Sequence, residues 1–264
     1  MILHERHKKI LDQLFSDGIV YTAELKDKFN TSFETIRKDL QYLEKEGLLS
    51  RVHGGAVPVS EPGNSASAFP SLPLPVDFLK RINNNREQKQ QIARKACSFI
   101  KEKSCIALDT GTTAYELTLL LLERFESLTI ITNSMINALI LSKNPNFTVI
   151  VTGGIVSHKE KALVTNLTDS LLHNINIDIM FLTTCGIDID TGIAEQSLDE
   201  IAIHKAMAKR SKQLILLADS SKFSRSALFH AYGFDEVSAI ITDSGLSGEK
   251  AEKYREKGVP IIIA

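Results

Sequence analysis

The sequence predicts a two-domain protein: a small winged helix-turn-helix domain, then a larger α/β domain on a mainly parallel sheet. Three observations carry that expectation. Residues 1–57 place apolar side chains at helical spacing and end in Arg51-Val52-His53-Gly54-Gly55-Ala56. Residues 58–76 hold five of the seven prolines with Gly, Ser and Asn, the composition of an extended linker. From residue 77 to 264, short continuous apolar runs alternate with helical segments, as in a parallel sheet covered on both faces.

Bulk properties narrow the function classes. The 264 residues are 43% hydrophobic and 24% charged, enough apolar content for a sizeable core. The apolar runs fall far short of the ~20 residues that a membrane span needs. The start, MILHERHKK, lacks the apolar stretch of a signal peptide, so a cytoplasmic location is expected. Cys97, Cys105 and Cys185 form no CxxC pair and suit buried thiols better than disulfides or a metal site. Neither a metal nor a cofactor is expected. Net charge is −1, and residues 1–57 carry nine basic and nine acidic side chains. Any nucleic-acid contact must therefore rest on one face and not on bulk attraction.

In the first domain, Ile10, Leu11, Leu14 and Phe15 line one face of a helix over 4–15. Thr22 is the expected N-cap of a second helix holding Leu25 and Phe29 inward, and Asn30 supplies the turn after it. Thr31 and Ser32 compete as N-cap of a third helix, Thr31 with Glu34 three residues on as a capping box. In that helix Ile36, Leu40 and Leu43 share a face, and Glu34, Arg37, Lys38, Gln41 and Lys45 take the opposite one. Gly47 ends it, and Leu48-Leu49 and Val52 suggest two short strands. Taken by itself, this fits either an ordinary three-helix domain with a solvated face or a DNA-reading one.

In the second domain, strands are expected at 105–108, 128–132, 148–152, 179–183, 214–218, 239–242 and 259–263. Helices are expected at 87–100, 113–123, 135–142, 163–174, 198–211 and 247–257. Ligands of such sheets sit beyond the carboxyl ends of the strands. Those ends here hold Asp109-Thr110-Gly111-Thr112-Thr113, Thr132-Asn133-Ser134, Thr152-Gly153-Gly154 and Asp219-Ser220-Ser221-Lys222. Cys185-Gly186-Ile187-Asp188 and Gly192-Ile193-Ala194-Glu195 lie between them. A glycine and hydroxyls at a helix start can offer N–H groups to a phosphate. They serve equally as an N-cap and a tight turn, and the loop is not a Walker A motif.

Together these residues resemble the DeoR family of bacterial transcriptional regulators. Thr35-Ile36-Arg37-Lys38-Asp39-Leu40 and the Arg51–Ala56 segment match its N-terminal pattern, and the strand-end motifs match the order in its effector domain. Lys38 stands where arginine is usual, Thr31 where an apolar residue usually precedes the serine, and Thr165 where glycine is frequent. The resemblance implies a second domain similar to ribose 5-phosphate isomerase and CoA-transferase-like folds. It implies DNA contacts from Thr31, Ser32, Glu34, Thr35, Arg37, Lys38, Gln41, Arg51, His53, Gly54 and Gly55. For the effector it implies that Gly111, Thr112 and Thr113 cradle a phosphate that Lys222 neutralises. Asp109, Asn133, Gly153, Gly154, Gly186, Asp188 and Glu195 would then line the sugar. The expected partners are double-stranded operator DNA, a phosphorylated sugar and further copies of the chain in a dimer or tetramer. The expected output is repression of a carbohydrate operon relieved by the sugar phosphate, with activation as the alternative sign.

A second alternative is an active sugar-phosphate isomerase fused to a DNA-binding module. Isomerisation needs a general base beside the C2 proton. The isomerases carry a carboxylate just before the glycine that matches Gly186, and here that position is Cys185. No catalytic residue is therefore expected. A third reading makes the helix-turn-helix a protein-interaction module, which the exposed charges Arg37, Lys38, Arg51 and His53 disfavour.

Overall fold

The computed structural model describes residues 3–17, 19–52, 54–58, 75–164, 172–258 and 260–264. The chain divides into two compact units, Met1–Asn84 and Asn85–Ala264.

The first unit begins with α1 (Leu3–Asp17), β1 (Val20–Tyr21), α2 (Thr22–Phe29) and α3 (Phe33–Lys45). The strands β2 (Ser50–Val52) and β3 (Gly55–Val57) follow, and α4 (Val76–Asn83) closes the unit. Ile10, Leu11, Leu14, Leu25, Ile36, Leu40, Leu43, Leu48 and Leu49 form its core, the faces that helical spacing had marked. Several local expectations shift. Tyr21, not Thr22, is the N-cap of α2, and Thr22 opens the helix. Ser32 caps α3: its Oγ accepts from Thr35 N at 3.1 Å, so Thr31 lies outside the helix and the Thr31–Glu34 box does not form. Leu48 and Leu49 are core residues that precede the strands. At the end of α3, Leu48 N donates to Leu43 O at 2.9 Å and Gly47 N to Glu44 O at 2.9 Å. This is a Schellman closure, which Gly47 permits at φ +69°.

The three strands pair antiparallel in the order β1-β3-β2. Gly55 makes the pairing possible, because a Cβ there would overlap the backbone carbonyl of Val20. The linker was expected to run to 76 and the second domain to start at 77. Instead α4 packs against α1 within the first unit, and the division falls after Asn84.

The second unit opens with α5 (Arg86–Cys97), which starts one residue before the expected span and ends three before it. Its sheet contains β4 (Cys105–Leu108), β5 (Thr129–Thr132), β6 (Thr148–Val151), β9 (Ile177–Leu182), β12 (Ser211–Leu217), β14 (Ala239–Thr242) and β15 (Ile261–Ile263). All seven pair in parallel, in the order β15-β14-β12-β9-β4-β5-β6. Within β9, Ile179 and Phe181 pack in one apolar cluster while Met180 and Leu182 pack in the other. Burial on both faces is why these strands read as continuous apolar runs. Each fully buried Ile, Leu, Phe or Met is worth ~1.5–3 kcal/mol relative to exposure.

Helices α6 (Thr112–Arg124), α7 (Met135–Leu141), α8 (Leu198–Ala208) and α9 (Gly248–Arg255) follow their strands. Residues 163 and 164, expected to open a helix, belong instead to β8 (Ala162–Val164), hairpinned to β7 (Ile155–Ser157). The remainder of that expected helix falls mostly outside the described residues, as does Thr165. An antiparallel sheet of β10 (Gly186–Asp188), β11 (Gly192–Glu195) and β13 (Phe229–Tyr232) sits beyond the strand ends. The chain passes from β4 to one side of the sheet through β5 and β6, then returns to β9 on the other. The resulting crevice between β4 and β9 is a topological switch point.

Candidate functional site

At the nucleic-acid end, α3 buries Ile36, Asp39, Leu40 and Leu43 and exposes Glu34, Arg37, Lys38 and Gln41. The Asp39 carboxylate is 3% exposed and binds α1: Arg6 Nε donates to Oδ2 at 2.5 Å and Nη2 to Oδ1 at 2.9 Å. His7 Nε2 adds a third contact to Oδ1 at 2.9 Å. Asp39 thus sets the rotation of α3 on its scaffold, so that Arg37 and Lys38 face away. Sequence spacing missed this role, although an aspartate on the apolar side of a helix was the available signal.

The β2–β3 hairpin forms the wing. Arg51 lies on it and is held by Glu44 of α3, with N to Oε1 at 3.0 Å and Nε to Oε2 at 2.7 Å. Those bonds lower the pKa of Glu44 and fix the wing against the helix. Gly54 turns at φ +82° with open space around it, and its carbonyl accepts from Thr22 N at 2.8 Å. Gly55 is buried in the pairing with β1, so its requirement is packing and it presents nothing outward. Ser32 and Thr35 share a hydroxyl contact at 2.9 Å at the start of α3. Thr31 is half-buried just outside the helix, and His53 lies outside the described residues.

In the second unit, the strand ends converge on Asp109, which is 2% exposed at the end of β4. Its Oδ2 accepts from Thr183 N at 3.0 Å and from Thr183 Oγ1. Its Oδ1 accepts from Thr110 N at 2.6 Å and lies 2.7 Å from His204 Nε2 on α8. Burial by itself would raise this carboxyl. The His204 charge and the hydrogen bonds from His204, Thr183 and Thr110 overcome burial and hold it at about 2. Burial likewise disfavours the His204 charge, yet Asp109 and then Glu195 push its pKa up to about 9. Asp109 was expected to line a sugar. Its acceptors are all engaged within the protein, so it organises the loop around it.

Gly111 is the N-cap of α6 and abuts Thr183, with no room for a Cβ. Thr112 and Thr113 are buried in the first turn, whose N–H groups have no acceptor within the helix. On the neighbouring strand, Asn133 is fully buried, and neither its Nδ2 nor its Oδ1 has a hydrogen-bond partner among the described residues. An amide left so is costly unless a water or ligand meets it. Asn137, capped through Ser134 Oγ at 3.1 Å, donates to Asp109 O at 2.9 Å and joins this strand end to the first.

Across the crevice, Glu195 is 4% exposed, and burial raises its pKa to about 7. The Cys185 thiol beside it is pushed up to about 12 by burial and then by Glu195, with Lys222 opposing. Lys222 is half-buried in the turn Ser220–Lys222, whose next residue, Phe223, bridges to Ile187. Gly186 is pressed against the backbone of Arg225 in the same loop. The crevice thus brings together Asp109, Gly111, Thr112, Thr113, Gly186, Glu195 and Lys222, with Asn133 on the adjoining strand. Two further expected groups have backbone roles of their own. Asp188 Oδ1 accepts from Asp190 N, Thr191 N and Thr191 Oγ1, which makes it the closure of the β10–β11 turn. Gly153 and Gly154 take φ +75° and +126° on the way from β6 to β7, where Gly154 lies against Val164 O. Sequence reading missed Thr183 and His204, which only the fold brings to Asp109.

Known proteins match both units. A DeoR-like helix-turn-helix domain model matches residues 6–61, and a DeoR C-terminal sensor domain model matches residues 84–244. The chain is 34% identical to the HTH-type transcriptional regulator YulB of Bacillus subtilis, over 99% of this chain and 96% of that one. It is 32% identical to the HTH-type transcriptional regulator GolR of Listeria innocua over the full length of both. It is 30% identical to the glycerol-3-phosphate regulon repressor of Escherichia coli, over 91% and 90%. Among solved structures, a D-ribose-5-phosphate isomerase in complex with phospho-erythronic acid is similar over 52% of this chain and 54% of that one. The identity there is 18% and the TM-score 0.40. No helix among the described residues is long and apolar enough to cross a membrane. The paired domains and the full-length relatives place this chain in the DeoR family of DNA-binding transcriptional regulators.

Proposed function

We propose that this regulator represses a carbohydrate-utilisation operon and is released when a phosphorylated sugar binds the crevice between β4 and β9. The buried Asn133 amide carries this reading, since it has no partner among the described residues, and the start of α6 has no side-chain cap. The Thr112–Thr113 turn and Lys222 supply an anion site, and Asn133 and Glu195 supply groups for hydroxyls. Asp109 shapes the loop. Two or more copies place their α3 helices on half-sites about one helical turn apart, in the cytoplasm. Relatives support a sugar-linked output: one is named a glycerol-3-phosphate regulon repressor, another an L-fucose operon activator of Haemophilus influenzae.

One observation favours an enzymatic second reading. Glu195, raised to about 7, has the proton affinity of a general base. Against it stand Cys185, too high at about 12 to act as a thiolate, and Asp109, fixed to His204. The test begins with an operator selected from random duplex DNA by the purified full chain. Operator binding and melting temperature are then followed with glucose 6-phosphate, fructose 1-phosphate, ribose 5-phosphate and glycerol 3-phosphate. At least one ester should raise the melting temperature and weaken operator binding, and Lys222→Ala should lose both responses while binding DNA normally. No response to any ester sinks the effector reading. Ester turnover that Glu195→Gln abolishes establishes the isomerase instead.

A further inference from the structure

Glu195 is the last residue of β11, and its carboxyl group is buried with it. A carboxylate taken out of water is costly unless a cation or strong donors meet it. Among the described residues the Cys185 thiol, a weak donor, is the hydrogen-bond partner of Glu195. The cation nearest in effect is His204, whose Nε2 is already 2.7 Å from Asp109 Oδ1. Asp109, Glu195 and His204 thus bring two carboxylates and one imidazolium to the crevice, an excess of one negative charge.

The surroundings do not remove that excess. Burial raises the Glu195 carboxyl to about 7, with Asp109 and Glu200 adding to the rise and His204 and Cys185 opposing it. Glu200 is half-buried on α8 and acts in the same sense on Cys185 and His204. Tyr232, the last residue of β13, is 1% exposed, and its hydroxyl has no hydrogen-bond partner among the described residues. Burial, then Asp109, Glu236 and Glu195, hold its pKa above the ordinary range, so the hydroxyl stands in the field of the same carboxylates. No three of the described His, Cys, Asp and Glu side chains group as ligands of a metal ion. A buried acceptor short of a cation therefore shares the crevice with the orphaned Asn133 amide and with the α6 start and Lys222.

We propose that the effector is a phosphorylated amino sugar, its phosphate at the α6 start and Lys222 and its ammonium group on Glu195, with the Tyr232 hydroxyl as a second acceptor. This inference rests on the effector reading above and names the ligand class of that site. A sugar hydroxyl would give Glu195 a neutral hydrogen bond and leave the excess charge in place. An ammonium group removes the excess and makes a charge-assisted bond, roughly twice as strong. The ligand then carries opposite charges toward opposite charges: phosphate to Lys222, amine to Glu195.

The test uses the full-length chain and three esters that differ at one position: glucosamine 6-phosphate, glucose 6-phosphate and N-acetylglucosamine 6-phosphate. The three galacto epimers are titrated alongside, with inorganic phosphate as the reference anion. Calorimetric titration reads affinity, and melting temperature reads folding. In at least one series the amine ester should bind about 10–100-fold tighter than the hydroxyl ester, the span of a hydrogen bond to a charged group. Acetylation, which removes the ammonium charge, should abolish that gain. In Glu195→Gln the ratio of amine to hydroxyl affinity should fall to about two-fold or less. Equal affinities of amine and hydroxyl esters in both series overturn the amino-sugar class while leaving the effector reading standing. An acetylated ester as tight as the amine overturns it too, and so does a Glu195→Gln protein that keeps the full ratio. If Glu195→Gln fails to fold, the comparison of amine with acetylated ester on the wild type decides. Wild-type protein that binds none of the esters overturns the effector reading, and the ligand class with it.

Discussion

Asp109 shows how a residue's role depends on where its hydrogen bonds go. Its carboxylate stays charged inside the protein because Thr183, Thr110 and His204 surround it. Removing one partner of such a pair leaves an uncompensated buried charge, which costs about 3–5 kcal/mol. Asp109→Asn should therefore lower the melting temperature sharply, and adding His204→Gln should recover part of the loss. Strict additivity of the two losses in denaturant titrations would show that the pair is not coupled. The pair also sets a pH dependence. His204 is raised from 6.5 to about 9, so the native state holds a proton that the unfolded chain releases first. Its contribution is complete below about 6.5 and lost as pH rises through 9. Glu195, raised from 4.5 to about 7, adds a loss between about pH 4.5 and 7. Asp109, lowered from 3.8 to about 2, contributes above 3.8 and loses its contribution as pH falls through 2. Stability measured from pH 6 to 9 should thus decline in the wild type and flatten above pH 7 in His204→Gln. An unchanged slope in the variant would remove His204 as its source.

At the scale of elements, the wing depends on a glycine for a reason the motif alone does not reveal. Gly54 and Gly55 are adjacent, yet only Gly55 is closed in by the Val20 carbonyl of β1. Gly55→Ala should cost about 1–3 kcal/mol in the first unit, as overpacking does, and weaken operator binding through loss of the β1–β3 pairing. Gly54→Ala, at φ +82° with open space, should cost only about 1 kcal/mol of left-handed strain. Equal losses, read as melting temperatures of the two variants, would refute this distinction. The parallel strands were legible because burial on both faces leaves an uninterrupted apolar run. The antiparallel β10, β11 and β13 were not, because three- and four-residue strands beyond the sheet carry no period long enough to see.

At the scale of the molecule, two compact units divide the labour, and the first carries no excess of positive charge. Bulk attraction therefore does not account for DNA binding, and a few phosphate contacts from one face are the expectation. Operator affinity should still fall steeply with salt, by about 10³-fold between 50 and 200 mM if ~6 phosphates are neutralised. Fluorescence anisotropy across that range checks it, and a flat response would favour a protein partner for the helix-turn-helix. The division point was misread because the proline content that marks a linker ends at Pro75, whereas α4 remains with the first unit through contacts distant in sequence.

The sequence by itself determined the two-domain plan, the helical faces of the first unit and the alternation that builds the parallel sheet. Each is a local or periodic property, written into spacing and turn residues. It also marked the four polar strand-end loops, because strand ends are readable wherever apolar runs stop. Only the tertiary structure decided which of those loops share a crevice. Strand order places β4 beside β9, so that Asp109 meets Thr183 and His204, residues 74 and 95 positions away. The same packing turned Asp188 into a turn closure and Gly55 into a packing requirement. No sequence period encodes such pairings, because each depends on where the sheet brings two distant segments.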